Sequence, residues 1–285
     1  MKIKYYMLEL RVHDWYKNLL IFAGIFFSRN LFNFNYYPKL FLGFLLLSLV
    51  SSSGYIINDI KDAPFDVFHP RKKNRPVASG KISKTSALLF SLILLVFSLF
   101  ASYFVSIQFL TLALFLFINS LIYSFFLKDF VWLDVTSVSL NYILRSLAGC
   151  EIIEVYISPW LIMGVFYVAM LFALAKRREE LVVINSPSLH RTSLKSYNLS
   201  TVDHGISIFS TLIIISYSLY TINSPYSNIL LFFTIPIVAL VVLEFTSISR
   251  EEKEIGIIRK TISNPIILTS LVVWISVVFY SIYLR

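Results

Sequence analysis

Asp59, Asp62 and Asp66 stand three and four residues apart in NDIKDAPFD, and Arg71, Lys72, Lys73 and Arg75 follow at once. Clustered carboxylates repel one another and need a compensating cation. Hard oxygen donors suit Mg²⁺, which keeps open positions for water and substrate phosphates. Bases beside such an ion suit phosphate oxygens that the metal has only partly neutralised, and arginine forks fit them best. The pattern therefore describes a site for a magnesium-bound diphosphate, with Asp59, Asp62 and Asp66 as metal ligands. A basic loop flanking a membrane segment would explain the bases, but not three regularly spaced aspartates behind Asn58.

The carboxylates close an uncharged run, Leu40 to Ile57. If that helix continues a turn or two beyond the hydrocarbon, the spacing puts all three on one face. Pro64 is expected to kink or end it near Ala63. Only 14% of the 285 residues are charged and 57% are hydrophobic, against about 25% charged in soluble domains. The chain is thus expected to be an all-α polytopic membrane protein. Runs long enough to cross a bilayer recur at roughly 18–35, 40–57, 86–106, 109–127, 131–149, 159–175, 206–222, 228–246 and 265–283, nine in all. Each must be helical to pair its own backbone groups. No long polar stretch interrupts them, so residues 1–285 read as a single membrane domain, with polar loops at about 58–85 and 176–205. Residues 1–17 lack the apolar core and cleavage site of a signal peptide and read as an interfacial helix.

With the N-terminus in the cytoplasm, 21 of the 25 Lys and Arg fall on the cytoplasmic side; Arg29, Lys39 and Arg285 fall outside, and Arg145 lies within a span. That asymmetry orients the chain and places the chemistry on the cytoplasmic face. The net charge of +9 calls for acidic partners, either lipid headgroups or phosphorylated substrates. Nucleic acid fits poorly, because the bases sit in short loops between apolar spans. One cysteine, Cys150, excludes an intrachain disulfide and a multi-cysteine metal site.

NDxxDxxxD at Asn58–Asp66 and the following HPRKKNRPVASG resemble the first aspartate-rich motif of the UbiA prenyltransferase superfamily. Most aromatic prenyltransferases of that superfamily carry a second, DxxxD-type motif after their sixth helix. This chain has ALAKRREELVVI there, with Lys176, Arg177 and Glu180 and no aspartate before Asp203. KRxxEL resembles the decaprenyl-phosphate phosphoribosyltransferase branch. RVHDWYKNLLIFAG (Val12 where proline is usual), IYSFFLKDFVWLDV and ILRSLAGC (Cys150 in place of a glycine) are similar to that branch as well.

The resemblance implies a UbiA-type bundle with a cytoplasm-facing cavity, and Mg²⁺-dependent transfer of 5-phosphoribosyl from phosphoribosyl pyrophosphate to a polyprenyl phosphate. It implies catalytic roles for Asp59, Asp62, Asp66, Lys176, Arg177 and Glu180. Substrate contacts are implied for Lys17, Asn58, Arg71, Arg75, Tyr123, Lys128, Asp134, Asn141 and Arg145. Asp134, Asn141 and Arg145 also fall on one helical stripe by spacing. An Arg145–Asp134 or Arg145–Glu244 bond, a solvated Lys176–Glu180 pair and an interfacial Tyr123 are the plainer alternatives. His13 and His69 are expected to be solvated. A prenyltransferase with an aromatic or other small acceptor is the second reading. A transporter is the third, and it is disfavoured because charge avoids the bilayer midplane. Oligomeric state, a homo-oligomer included, is left open.

Overall fold

A computed structural model describes residues 3–68, 72–183, 198–251 and 256–284. All regular structure among them is helical. They fall into two compact units, one up to Ile157 and the other from Ser158 onward.

The first unit holds α1 (Ile3–Glu9), a 3-10 helix (Val12–Phe22), α2 (Ala23–Phe27), α3 (Tyr37–Asp66), α4 (Lys84–Tyr103), α5 (Ile107–Phe125) and α6 (Leu133–Ile152). Its core joins Ile21 and Ile25 to Leu46, Leu47 and Val50 of α3, Phe109 and Leu116 of α5, and Ala148 of α6. The second unit holds α7 (Pro159–Val183), α8 (Leu199–Asn223), α9 (Ile229–Phe232), α10 (Ile235–Glu251), α11 (Ile257–Ser263) and α12 (Pro265–Phe279).

Among the described residues seven helices are long and apolar enough to cross a membrane, so the chain is a multi-pass membrane protein. The other two of the nine expected spans differ from expectation. Helix α6 has the length, but Asp134, Asn141, Arg145 and Glu151 make it more polar than the seven. Span 18–35 is not one helix: an 11-residue 3-10 segment leads into α2, which ends at Phe27. Three-ten helices rarely run beyond three or four residues, and this one is held by close packing on α6. A Cβ on Gly149 would lie 1.8 Å from the Ile21 carbonyl oxygen, so only glycine lets the two backbones meet.

Two further expectations change. The interfacial helix is confined to Ile3–Glu9, because Arg11 takes a left-handed conformation (φ 50°) and turns the chain. Helix α3 runs through Pro64 to Asp66. Proline removes the amide that would bond the Ile60 carbonyl, but it sits in the last turn, where little helix remains to be disrupted.

Candidate active site

Continuation of α3 places Asp59, Asp62 and Asp66 on successive turns of one helix. Asp59 is 1% exposed and lies between two arginines. Arg11 Nη2 donates to both its oxygens, at 2.6 Å to Oδ2. Arg75 Nη1 donates to Asp59 Oδ1 at 2.9 Å and to Asp66 Oδ2 at 2.6 Å. Asp62 turns aside: it accepts from Asn58 Nδ2 at 3.0 Å and from Lys128. Pro76 and Gly80 shape the loop that delivers Arg75. The Pro76 carbonyl accepts the amides of Lys81 and Ile82, and Gly80 takes the left-handed conformation (φ 72°) that the turn requires.

The 3-10 segment brings up a second polar group. Lys17 pairs with Asp14 at 2.6 Å. Tyr55, one turn before Asp59, lies under the Arg11 guanidinium at 5.5 Å and the Lys17 ammonium at 5.6 Å, cation–π distances. Arg145, 3% exposed, donates through Nε to Asn18 Oδ1 at 2.5 Å and through Nη2 to Ser51 at 3.4 Å, and its guanidinium lies over Tyr142. Both hydrogen-bond partners are neutral, and neither is Asp134 on the same helix. Asn141 faces α5 instead, accepting from Asn119 at 2.9 Å. Asp134 is fully buried at the start of α6. Tyr123 is half-buried on α5, beside Ser124, whose carbonyl takes Lys61 at 2.7 Å. Arg71 and His69 lie outside the described residues; His13 is exposed beside Asp14.

In the second unit the charged end of α7 divides its labour. Arg178 donates to Asp203 Oδ1 of α8 at 2.7 Å and to the Ser249 carbonyl of α10 at 2.9 Å. Glu179 accepts the amides of Gly256 and Ile257 at the start of α11. These two residues tie helices together. Arg177, 5% exposed, donates to Glu180 at 2.7 Å, and Lys176 is exposed. Asp203, too isolated in sequence to form a motif, is the counter-ion of Arg178.

No three Asp, Glu, His or Cys groups converge on one point among the described residues. The donors nonetheless suit a hard cation. Asp59 and Asp66 converge as a pair on a single guanidinium nitrogen, and Asn58 Oδ1 is enclosed without a hydrogen-bond partner. Buried acceptors of this kind are normally satisfied, and a cation would satisfy this one.

Sequence reasoning passed over Arg11, Tyr55 and Glu9. Arg11 opens the RVHDWYKN stretch already singled out; nothing in the local sequence marks the other two. Two carboxyls before α2 are shifted. Burial pushes Asp14 up, but Lys17, Arg11 and His13 outweigh it and leave the group below its ordinary range. Burial, reinforced by Asp59, raises Glu9 from 4.5 to about 7, against opposing pulls from the Val77 amide, Arg11 and Arg75. Folding then holds the Glu9 proton more tightly than the unfolded chain does. Its stabilisation is fully present below about pH 4.5 and is lost as pH rises through about 7, a swing on the order of 3 kcal/mol. We expect Glu9→Gln, which stays neutral, to flatten that part of the stability–pH curve and to raise thermal stability at pH 8, measured in detergent. A curve unchanged by the substitution would rule the assignment out.

Residues 19–254 match the UbiA prenyltransferase family. An uncharacterized protein, y4nM, of Sinorhizobium fredii is 35% identical over 178 residues, 62% of this chain but only 34% of that protein's length. A decaprenyl-phosphate phosphoribosyltransferase of Mycolicibacterium smegmatis is 28% identical over 225 residues, 77% of this chain and 70% of the relative. Among solved structures, a UbiA homolog from Archaeoglobus fulgidus bound to GPP and Mg²⁺ superimposes with a TM-score of 0.73 at 20% identity, covering 97% of this chain and 98% of that one. The helical order, the aspartates closing α3 and the match over most of the sequence lead to one assignment: this chain belongs to the UbiA prenyltransferase family.

Proposed function

We propose that this protein transfers 5-phosphoribosyl from phosphoribosyl pyrophosphate to a polyprenyl phosphate, releasing pyrophosphate, at the cytoplasmic face of the cell membrane. The observation that carries the reading is the cationic end of α7, where Lys176 and Arg177 stand and no aspartate precedes Asp203. A prenyltransferase binds one diphosphate and a neutral acceptor. A phosphoribosyltransferase must hold a diphosphate, a sugar phosphate and a lipid phosphate, so it needs more cations and fewer carboxylates. The phosphoribosyltransferase relative, aligned over 77% of this chain, supports the same choice.

The lipid phosphate is already an anionic nucleophile, so no general base is required. Its oxygen attacks the anomeric carbon as the bond to pyrophosphate breaks. The chain's task is to hold the two in line and to neutralise the departing charge. Mg²⁺ bound by Asp59, Asp62 and Asp66 would supply charge to the diphosphate. Arg11, Arg75 and Lys128, which bond those carboxylates, would be the bases available to phosphate were a divalent ion held there. Lys176, and Arg177 oriented by Glu180, serve the remaining anions. Lys17 and Arg145 are the further cations for substrate contacts.

Incubating purified protein with labelled phosphoribosyl pyrophosphate, Mg²⁺ and several polyprenyl phosphates tests the reading. A phosphoribosylated lipid is expected. Prenyl transfer to a small acceptor, with no reaction of phosphoribosyl pyrophosphate, would replace it with the prenyltransferase reading.

Orientation has its own check. In a variant lacking the buried Cys150, a cysteine at exposed Ser79 should react with an impermeant maleimide only from the cytoplasmic side, and one at exposed Asn223 only from outside. The reverse pattern would move the site to the other face.

A further inference from the structure

Glu9 ends α1 with only 2% of its surface exposed, and the reaction above makes no use of it. Its Oε1 accepts the amide N–H of Val77 at 3.0 Å. Val77 lies two residues beyond Arg75, the base shared by Asp59 and Asp66.

The chain between them has little freedom. Proline fixes one backbone angle at position 76. The Ser79 amide bonds the Arg75 carbonyl at 2.8 Å, the Gly80 amide bonds the Val77 carbonyl at 3.1 Å, and the Lys81 amide bonds the Pro76 carbonyl at 2.9 Å. A shift of the Val77 amide is therefore transmitted to Arg75. The rest of the contact between α1 and this loop is non-directional. Val77 and Ile82 share an apolar cluster with Ile56 and Ala63, against which Tyr5 and Tyr6 pack, and the Lys81 ammonium lies 5.2 Å from the Tyr5 ring centre. Apolar contacts keep the loop near α1 but do not set its register, whereas a buried hydrogen bond has one geometry.

We propose that Glu9 is a positioning residue for the basic loop: by holding the Val77 amide it keeps Arg75 in register with Asp59 and Asp66, and so sets how tightly the site takes a diphosphate. The inference rests on reading that loop as the diphosphate site. The charged groups facing Glu9 are Arg11 on the turn after α1, Asp59 on α3 and Arg75 on the loop. A carboxyl keeps an acceptor oxygen whether or not it is protonated, so the tie does not depend on its charge.

That independence defines the test. Glu9→Gln retains an acceptor oxygen in the same place, Glu9→Ala removes it, and Glu9→Asp withdraws it by one methylene. Amide hydrogen exchange over residues 75–82 and calorimetric binding of magnesium pyrophosphate are measured on each full-length protein in detergent. Relative to wild type, Ala and Asp are expected to speed exchange at Val77 and to weaken pyrophosphate binding, each on the order of tenfold or more. Gln should stay near wild type in both. Wild-type exchange in the Asp and Ala variants overturns the proposal. So does a folded Gln variant as impaired as Ala, because charge rather than the hydrogen bond would then be responsible. Should Ala fail to fold, the Asp and Gln pair decides alone. Faster Val77 exchange alongside wild-type protein that ignores pyrophosphate supports the tie and removes the diphosphate reading instead.

Discussion

Asp59→Ala is expected to lose nearly all turnover, and Asp62→Ala to follow it. Asp59 is 1% exposed and takes hydrogen bonds from two arginines. Removing one partner of a buried hydrogen-bonded charge pair costs about 2–5 kcal/mol, because the other charge is left without compensation. Felt in the transition state, that is roughly 30-fold to several-thousand-fold in rate. The carboxylate is asked to do two jobs, to anchor Arg11 and Arg75 and to take a divalent ion, and Asp59→Asn separates them. The amide can still accept from the arginines, so the variant should fold while losing magnesium-dependent activity. Rates are compared per folded molecule, across a magnesium titration. Full activity in folded Asp59→Ala, or wild-type activity in excess chelator, would remove the metal role.

Lys176→Ala and Arg177→Ala are expected to lose most phosphoribosyl transfer, and Glu180→Ala a substantial part. Arg177 is nearly buried and its guanidinium is oriented by Glu180 at 2.7 Å. A charge-assisted contact to a desolvated phosphate carries the same range of about 2–5 kcal/mol when it is left unpaired. The neighbouring Arg178 supplies the contrast. It bonds Asp203 and the Ser249 carbonyl, so Arg178→Ala should lower thermal stability and leave the activity of the surviving folded protein higher than that of the Arg177 variant. Thermal melts and single-turnover rates on the same preparations separate the two. An Arg177→Ala enzyme with normal turnover would leave this end of α7 without a role in the reaction.

The main architecture is legible in the sequence because apolar runs of bilayer length have few physical solutions. The seven long apolar helices lie where those runs predict them. Charge spacing was equally readable at Asp59, Asp62 and Asp66, whose intervals fit helical turns. Two things were not legible. Residues 18–35 are apolar enough to read as a span, yet the backbone there is set by Gly149 and by the Asn18–Arg145 bond, contacts that local hydropathy does not encode. The partners of the charged residues were hidden too. Glu180 accepts from Arg177, a partner that the i,i+4 spacing did not name, and Arg145 sits against the neutral Asn18 and Ser51. Side-chain pairing depends on which helices pack together, and spacing along one chain carries that only indirectly.

The tether between Arg145 and Asn18 spans 127 residues of chain. A ribosome makes the 3-10 segment early, but the residues that hold it, Arg145 and Gly149, emerge only after α3, α4 and α5. Until then Asn18 has no guanidinium and Ile21 has no glycine to lie against. Residues 12–27 cannot settle as an independent membrane hairpin, because a 3-10 run followed by a five-residue helix is too short to satisfy its own backbone in lipid. Full burial of this segment therefore waits for α6, although Trp15 and Asn18 can meet Ser52 and Ser48 once α3 is made. The polar group around Arg145, which joins Asn18 to Ser51, is thus complete only when the bundle has been built through α6.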